Sequence, residues 1–418
     1  MGPVQRADVG VPGLRPREDV LRDSENSRTI GGIPIRTKYL FSDPQGDILL
    51  SLSDLARPFL LSPTIAHPFL TLEDYFRALE EFLLQDRGEM LLTVLKERFI
   101  KDDNRRAELP LELVIRSEKH GALYHIASAE FFFKDRPPVK LAVTVALSGP
   151  GKDALVREFK VLRSLCGRFS PAFLPEPFFL GEILAGQEGK KESLVMFAGE
   201  WLTDYHEWHF SRSPKGEGLD VCLWDTGSGN TFLARKQVTE IFRQAAMILT
   251  LYYDPWNFSQ IYPWHHAAGD FVVQDLNGQI IVKLVTARRY EPLTALPVDD
   301  PASPYLALIS FFLNLTLKMR LDKLDGVGEA VWAEDFVVAA AIKGFFEALR
   351  IREAKGQYGP EDLLELLGSF TQEELETLYV PLLDIYRQED PDDFRVIRKN
   401  LSSHCNALFL CLETLGKP

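Results

Sequence analysis

The stretch Ile261 to Arg289, IYPWHHAAGDFVVQDLNGQIIVKLVTARR, constrains this chain more than any other. Its second half holds two apolar runs, Phe271 to Val273 and Ile280 to Val285, separated by a polar turn centred on Asn277-Gly278. Asn-Gly between β-rich runs is among the strongest short-range hairpin signals. Its first half is a polar loop that places His265, His266 and Asp270 beside Ala-Ala-Gly. A loop pinned at one end by a hairpin is the kind of scaffolded segment on which binding and catalytic groups sit. The segment 261–289 is therefore the expected functional centre.

Composition limits what can surround it. A chain of 418 residues, 46% hydrophobic and 26% charged, belongs to the globular class and has room for two or three domains. A net charge of -13 and a pI near 5.2 argue against a nucleic-acid surface, which needs a concentrated basic face. Cys166, Cys222, Cys405 and Cys411 are too scattered for a disulfide framework and form no C-x-x-C pair, which suggests a reducing compartment. No apolar stretch approaches the roughly 20 residues that cross a bilayer, and the N-terminus lacks the apolar core of a signal peptide. No membrane partner and a cytoplasmic location are expected.

Taken in order, residues 1–32 mix Pro, Gly, Arg and acids without an apolar period, and are expected to be a disordered tail. Residues 33–110 read as an N-terminal helical extension. Within them Phe69 to Phe99 has helical spacing, with Tyr75, Leu79, Phe82 and Leu83 on one face and Thr71 as N-cap. Residues 111–200 change period. Leu111 to Ile115, Leu123 to Phe133, Val139 to Leu147, Phe178 to Ile183 and Ser193 to Ala198 read as strands, with a helix over Asp153 to Leu165. Residues 201–418 read as mostly helical. Val238, Ile241, Phe242, Ala245, Ile248, Leu249 and Tyr252 form one buried stripe, and further helices are expected over Pro304 to Met319, Ala333 to Ile351, Glu361 to Leu367, Gln372 to Tyr386 and Phe394 to Leu415.

This order of elements, over roughly Leu111 to Leu415, resembles the protein-kinase-like superfamily, in particular the aminoglycoside and choline kinase type. The resemblance implies an α+β, bilobal protein-kinase-like fold with a small five-stranded antiparallel lobe and a mostly helical C-terminal lobe, and ATP and magnesium as the cofactors to look for. Such a kinase needs a third-strand lysine, a helix glutamate that holds it, a loop aspartate that receives the substrate proton, and an Asn and an Asp for magnesium. On the third strand, Lys-Leu-Ala-Val-Thr-Val-Ala-Leu, Thr144 stands where the lysine belongs. Lys140 faces the same side but lies about 13 Å away at 3.3 Å per residue. Glu158 occupies the helix-glutamate position, where it reads as a solvated side chain. Gly269-Asp270-Phe271-Val272-Val273 is similar to the family's Gly-Asn-Ile-Leu-Val and puts Asp270 at the metal-binding Asn. Five residues earlier His265 takes the catalytic position, a competent general base near neutral pH. The metal aspartate after the hairpin would fall near Thr286, and Val285 to Arg289 contains no acid; Arg288 could bind an anionic group there instead. The turn that would cover phosphates holds only Gly121.

The resemblance with these departures implies a kinase-like protein that has lost ordinary phosphotransfer and serves as a pseudokinase-like ligand-binding or scaffold protein for a small-molecule or protein partner. The alternative is an atypical transferase with His265 as base, Asp270 as metal ligand, and Thr144, Glu158, His266 and Arg288 lining its ligand site. A third reading, from another class, is a metal-dependent hydrolase drawing on His265 or His266, Asp270, and His206 and His209. If the segment Asp204 to His209 is helical, those last two share a face, although the spacing is not that of a metalloprotease motif.

Overall fold

Thr71 starts the first long helix as the spacing predicts. Its hydroxyl accepts from the Asp74 backbone N–H at 3.2 Å, and the Asp74 carboxylate accepts from the Thr71 N–H at 2.9 Å. That reciprocal cap satisfies two of the orphan donors at a helix start. The helix Leu72–Val94 buries Tyr75, Leu79, Phe82 and Leu83, each worth about 1.5–3 kcal/mol of burial. It is broken inside by Gln85 to Gly88, where Asp86, Arg87 and Gly88 take φ of 50°, 61° and 76°. A Cβ at position 88 would come within 2.9 Å of the Ile30 side chain, so both φ and space favour glycine there.

The computed structural model describes residues 28–99 and 109–415, except 44–45, 63, 122, 215, 217, 226–228, 267–268, 294–302 and 354–359. The expected tail lies outside the described residues up to residue 27. Beyond it, Thr29–Ile30 and Ile33–Pro34 pair as a small antiparallel ribbon. The chain divides into two units, Met1–Gly167 with Pro175–Thr203, and Arg168–Leu174 with Asp204–Pro418. The architecture is mixed α+β, with a multistranded sheet and a helical C-terminal part.

In the first unit the five expected strands appear as Glu112–His120, His125–Phe132, Val139–Ala146, Pro177–Gln187 and Lys190–Glu200. The sheet is nonetheless seven-stranded. Arg36–Phe41 pairs in parallel with Glu112–His120, and Ile48–Leu49 pairs with Arg36–Phe41 at the sheet's edge. The segment 33–110, expected as a helical extension, thus contributes two strands, Arg36–Phe41 and Ile48–Leu49, to the sheet as well as the helix. Its helix lies between two parallel strands, the arrangement parallel pairing demands because such strands need a long crossover. Glu158 is also corrected. It is 4% exposed, since it shares the face of the Gly149–Leu165 helix that carries Leu155, Phe159 and Leu162.

The second unit is helical in its C-terminal part, as expected, and its expected hairpin belongs to a five-stranded sheet. Its order is Thr231–Phe232, Leu219–Trp224, His206–Arg212, Phe271–Leu276, Gln279–Leu284. The Asn277-Gly278 turn joins the last two strands, with φ of 55° and 91° at its two residues. His206 to Arg212 is a strand, not a helix, so His206 and His209 point to opposite faces. Helices Ser303–Lys318, Phe336–Glu353, Pro360–Gly368, Gln372–Leu378, Val380–Glu389 and Pro391–Leu415 occupy the regions where helical spacing was read, the fourth expected helix being split in two. No helix among the described residues is long and apolar enough to cross a membrane.

Candidate functional site

The loop before the hairpin is shaped by Gly269. It has φ of 68°, a left-handed conformation that favours glycine, and a Cβ there would lie 2.7 Å from the Glu207 carboxyl on the neighbouring strand, which would have to shift. That turn delivers Asp270, 1% exposed, to the start of the Phe271–Leu276 strand. The Asp270 carbonyl accepts from the Val285 N–H at 2.8 Å, tying loop and hairpin end together. Its carboxylate is fully engaged. Oδ2 accepts from the His265 N–H at 2.8 Å and from Arg288 Nη1 at 2.7 Å, and Oδ1 accepts from Arg288 Nη2 at 2.7 Å. This two-pronged pair is the strongest geometry available to a guanidinium and a carboxylate.

Asp270 and Arg288, read from the sequence as a metal ligand and an anion clamp, therefore hold each other. Among the described residues no group of three or more His, Cys, Asp or Glu converges to hold a metal ion. The histidines expected as ligands are dispersed. His266 is 1% exposed and packs against Trp208, Phe242, Trp264 and Phe271, with ring centroids 4.9 to 5.6 Å away. Burial, followed by the charges of His265, Lys318 and His209, holds it neutral well below the ordinary imidazole range, and the Met319 main chain only partly offsets this. His206 stands 3.8 Å from Asp225, and His209, on the other face of its strand, stands 3.6 Å from Glu207.

His265 differs from its neighbour. Its side chain is 20% exposed, and its Nε2 lies 3.5 Å from Oδ2 of Asp393, a carboxylate 2% exposed in the first turn of Pro391–Leu415. Burial alone would raise the Asp393 carboxyl, but His265, Lys318 and Lys323 together bring it below the usual range. Lys318, the last residue of the Ser303–Lys318 helix, is 5% exposed. Its Nζ sits over three rings, at 5.9 Å from Tyr262, 5.5 Å from Trp264 and 5.7 Å from Tyr386. Burial lowers its pKa against the opposing pull of Asp393, Asp390, Asp270 and Glu389. Asp322, 1% exposed, accepts from the Phe210 N–H at 3.1 Å, and burial raises its carboxyl despite His209 and His265 nearby.

The centre of this region is accordingly a set of ionisable side chains, Arg288, Asp270, His265, Asp393 and Lys318, walled by aromatic rings. Sequence reading found the first three. It missed Lys318 and Asp393, although one signal was present: Lys318 is the single charged residue, at the end, of a helix that is otherwise uncharged.

Thr144 and Glu158 belong to the first unit. Thr144 is 8% exposed and lies between Ile126 and Phe197 in the register of the sheet. Lys140 is committed elsewhere, paired with Glu118 at 3.0 Å and lying 3.8 Å over the Trp201 ring. Neither supplies a lysine–glutamate pair with Glu158. A scan with protein-family models returns no match for this chain, and neither does a search of the curated proteins.

Proposed function

We propose that residues from about Leu111 to Leu415 form a kinase-like fold whose transfer centre is closed by the chain's own cations. On this reading the protein binds a small molecule or protein partner and does not carry out ordinary phosphotransfer. The observation that carries the reading is the Asp270–Arg288 pair. Both oxygens of Asp270 are taken by one guanidinium at 2.7 Å, and that guanidinium comes from the segment after the hairpin where the resembled family keeps its second metal ligand. A guanidinium is permanently charged, so it neutralises Asp270 at every working pH, and a magnesium ion would have to displace it.

Thermal-shift titration with ATP, with and without magnesium, followed by a phosphate-transfer screen over small amines and alcohols, tests this. The expected result is no magnesium-dependent stabilisation and no transfer. Turnover that His265→Ala abolishes would overturn the reading.

That outcome would favour the second reading, an atypical transferase. Its support is the His265–Asp393 pair, since a buried carboxylate 3.5 Å from an imidazole nitrogen can orient the ring and stabilise it once protonated, as a general base requires.

A further inference from the structure

The strands Glu112–His120 and His125–Phe132 end in two histidines that face each other, His120 opposite His125 in the register. Their rings meet at 4.1 Å between centroids, with planes 86° apart. Phe59 lies against both, at 5.9 and 4.8 Å, and stacks on Tyr75 at 4.7 Å. Tyr75, from the Leu72–Val94 helix, stands 6.2 Å from His125. Around one phenylalanine ring, three polar side chains from three elements converge. The Tyr75 hydroxyl and the Nδ1 atoms of both histidines are buried with no hydrogen-bond partner. Tyr75 is 2% exposed and His125 6%.

Each such atom costs about 1–3 kcal/mol when left unmade, and native interiors normally satisfy buried polar atoms with protein, water or an ion. Phenylalanine at each position would fill similar space without that penalty. Packing alone therefore does not account for three orphaned atoms on side chains grouped around the Phe59 ring.

We propose that His120, His125 and Tyr75 form a site for a transition-metal ion of tetragonal preference, Cu²⁺ first and Ni²⁺ second. One ring nitrogen of each histidine and the phenol oxygen are the donors. An ion about 2.0 Å from a nitrogen of each ring would see the two ring centroids at an angle of about 80°, nearer the right angle of tetragonal copper or nickel than the tetrahedral angle of zinc. Burial holds both imidazoles neutral, His120 down to about 4 and His125 to about 3, so at neutral pH an ion has no proton to displace from them. Burial also keeps the Tyr75 phenol protonated, and its proton leaves to solvent when the cation binds. The site lies wholly in the first unit and does not depend on the kinase-like reading.

The test is a Cu²⁺ titration of the full chain, stripped with a chelator, in the presence of glycine as a weak competitor, followed by electron paramagnetic resonance and visible absorbance. One retained equivalent is expected, with hyperfine structure from two imidazole nitrogens and a phenolate-to-copper band. His120→Phe and His125→Phe should each weaken that equivalent at least tenfold, and Tyr75→Phe should remove the band and keep the nitrogen pattern. His125→Gln serves as a second variant if the phenylalanine variant does not fold by circular dichroism. No retained equivalent, or a retained one indifferent to both histidine substitutions, overturns the site. A band that survives Tyr75→Phe overturns the phenol's place in it.

Discussion

At Asp270 a carboxylate that is 1% exposed is tolerable because three donors meet its two oxygens. Removing one partner of such a pair costs more than the pair is worth, because the remaining charge stays buried. Arg288→Ala should therefore destabilise the second unit by about 3 kcal/mol, the low end of the usual range because the arginine is a quarter exposed. Asp270→Asn added to Arg288→Ala should recover part of that loss, since the amide carries no charge to strand. Urea denaturation of both variants checks this, and a double variant no more stable than the single one would count against the pair as described. The partnership was not legible beforehand. Asp270 and Arg288 are each readable as site residues, but their mutual contact depends on the hairpin folding the chain back over 18 residues.

The second sheet ends in the Gln279–Leu284 strand, whose outer backbone groups would template aggregation if left open. Gln244, from the Arg235–Leu251 helix, closes them. Its Oε1 accepts from the Val282 N–H at 2.9 Å, and its Nε2 donates to the Ile280 carbonyl at 2.7 Å. Further along, the Leu284 N–H donates to the Phe173 carbonyl at 3.0 Å. Gln244→Leu should cost about 1–3 kcal/mol by stranding both groups. Gln244→Glu, which still accepts but sets a carboxylate against Glu240 Oε1 where Nε2 now donates at 2.7 Å, should not restore the wild-type midpoint. Denaturation midpoints give the order, and a leucine variant equal to wild type would refute the capping role.

At this scale the sequence was informative where signals are local. The Asn277-Gly278 turn, the Thr71 cap and the 3.6-residue stripe of Val238 to Tyr252 each act within a few residues of themselves. It misled where partners are remote. Arg36–Phe41 looks unremarkable until Glu112–His120 pairs with it, and the polar run His206 to Arg212 is a strand because it gains neighbours on both sides.

Across the two units, buried histidines make the fold sensitive to acid. Burial lowers His120 to about 4, His125 to about 3 and His404 to about 3, and it depresses His266 as well. His404 is fully buried, its Nε2 2.8 Å from the Tyr379 hydroxyl. Above the ordinary imidazole value of 6.5 both folded and unfolded chains hold these rings neutral, and stability from this source is level. Below it the unfolded chain takes up protons that the folded one refuses, so stability falls as pH drops towards 4. The limiting slope is about 1.4 kcal/mol per pH unit for each histidine. Urea midpoints measured from pH 7.5 to 4.5 should be flat at first and then decline. A midpoint that rises between pH 6.5 and 5 would contradict the burial of these rings.

The parallel pairing of Arg36–Phe41 with Glu112–His120 also sets an order in time. During synthesis the first of these strands leaves the ribosome 76 residues ahead of its partner, Arg36 against Glu112, a wait of about 4–15 seconds at about 5–20 residues per second. Its helix can cap and coil meanwhile and Ile48–Leu49 can pair along one edge, but the strand's other edge has no backbone to pair with until Glu112–His120 arrives. For that interval the nascent chain presents a strand open along one edge, and an N-terminal region that looks like an appendage becomes a part a cell must shelter early.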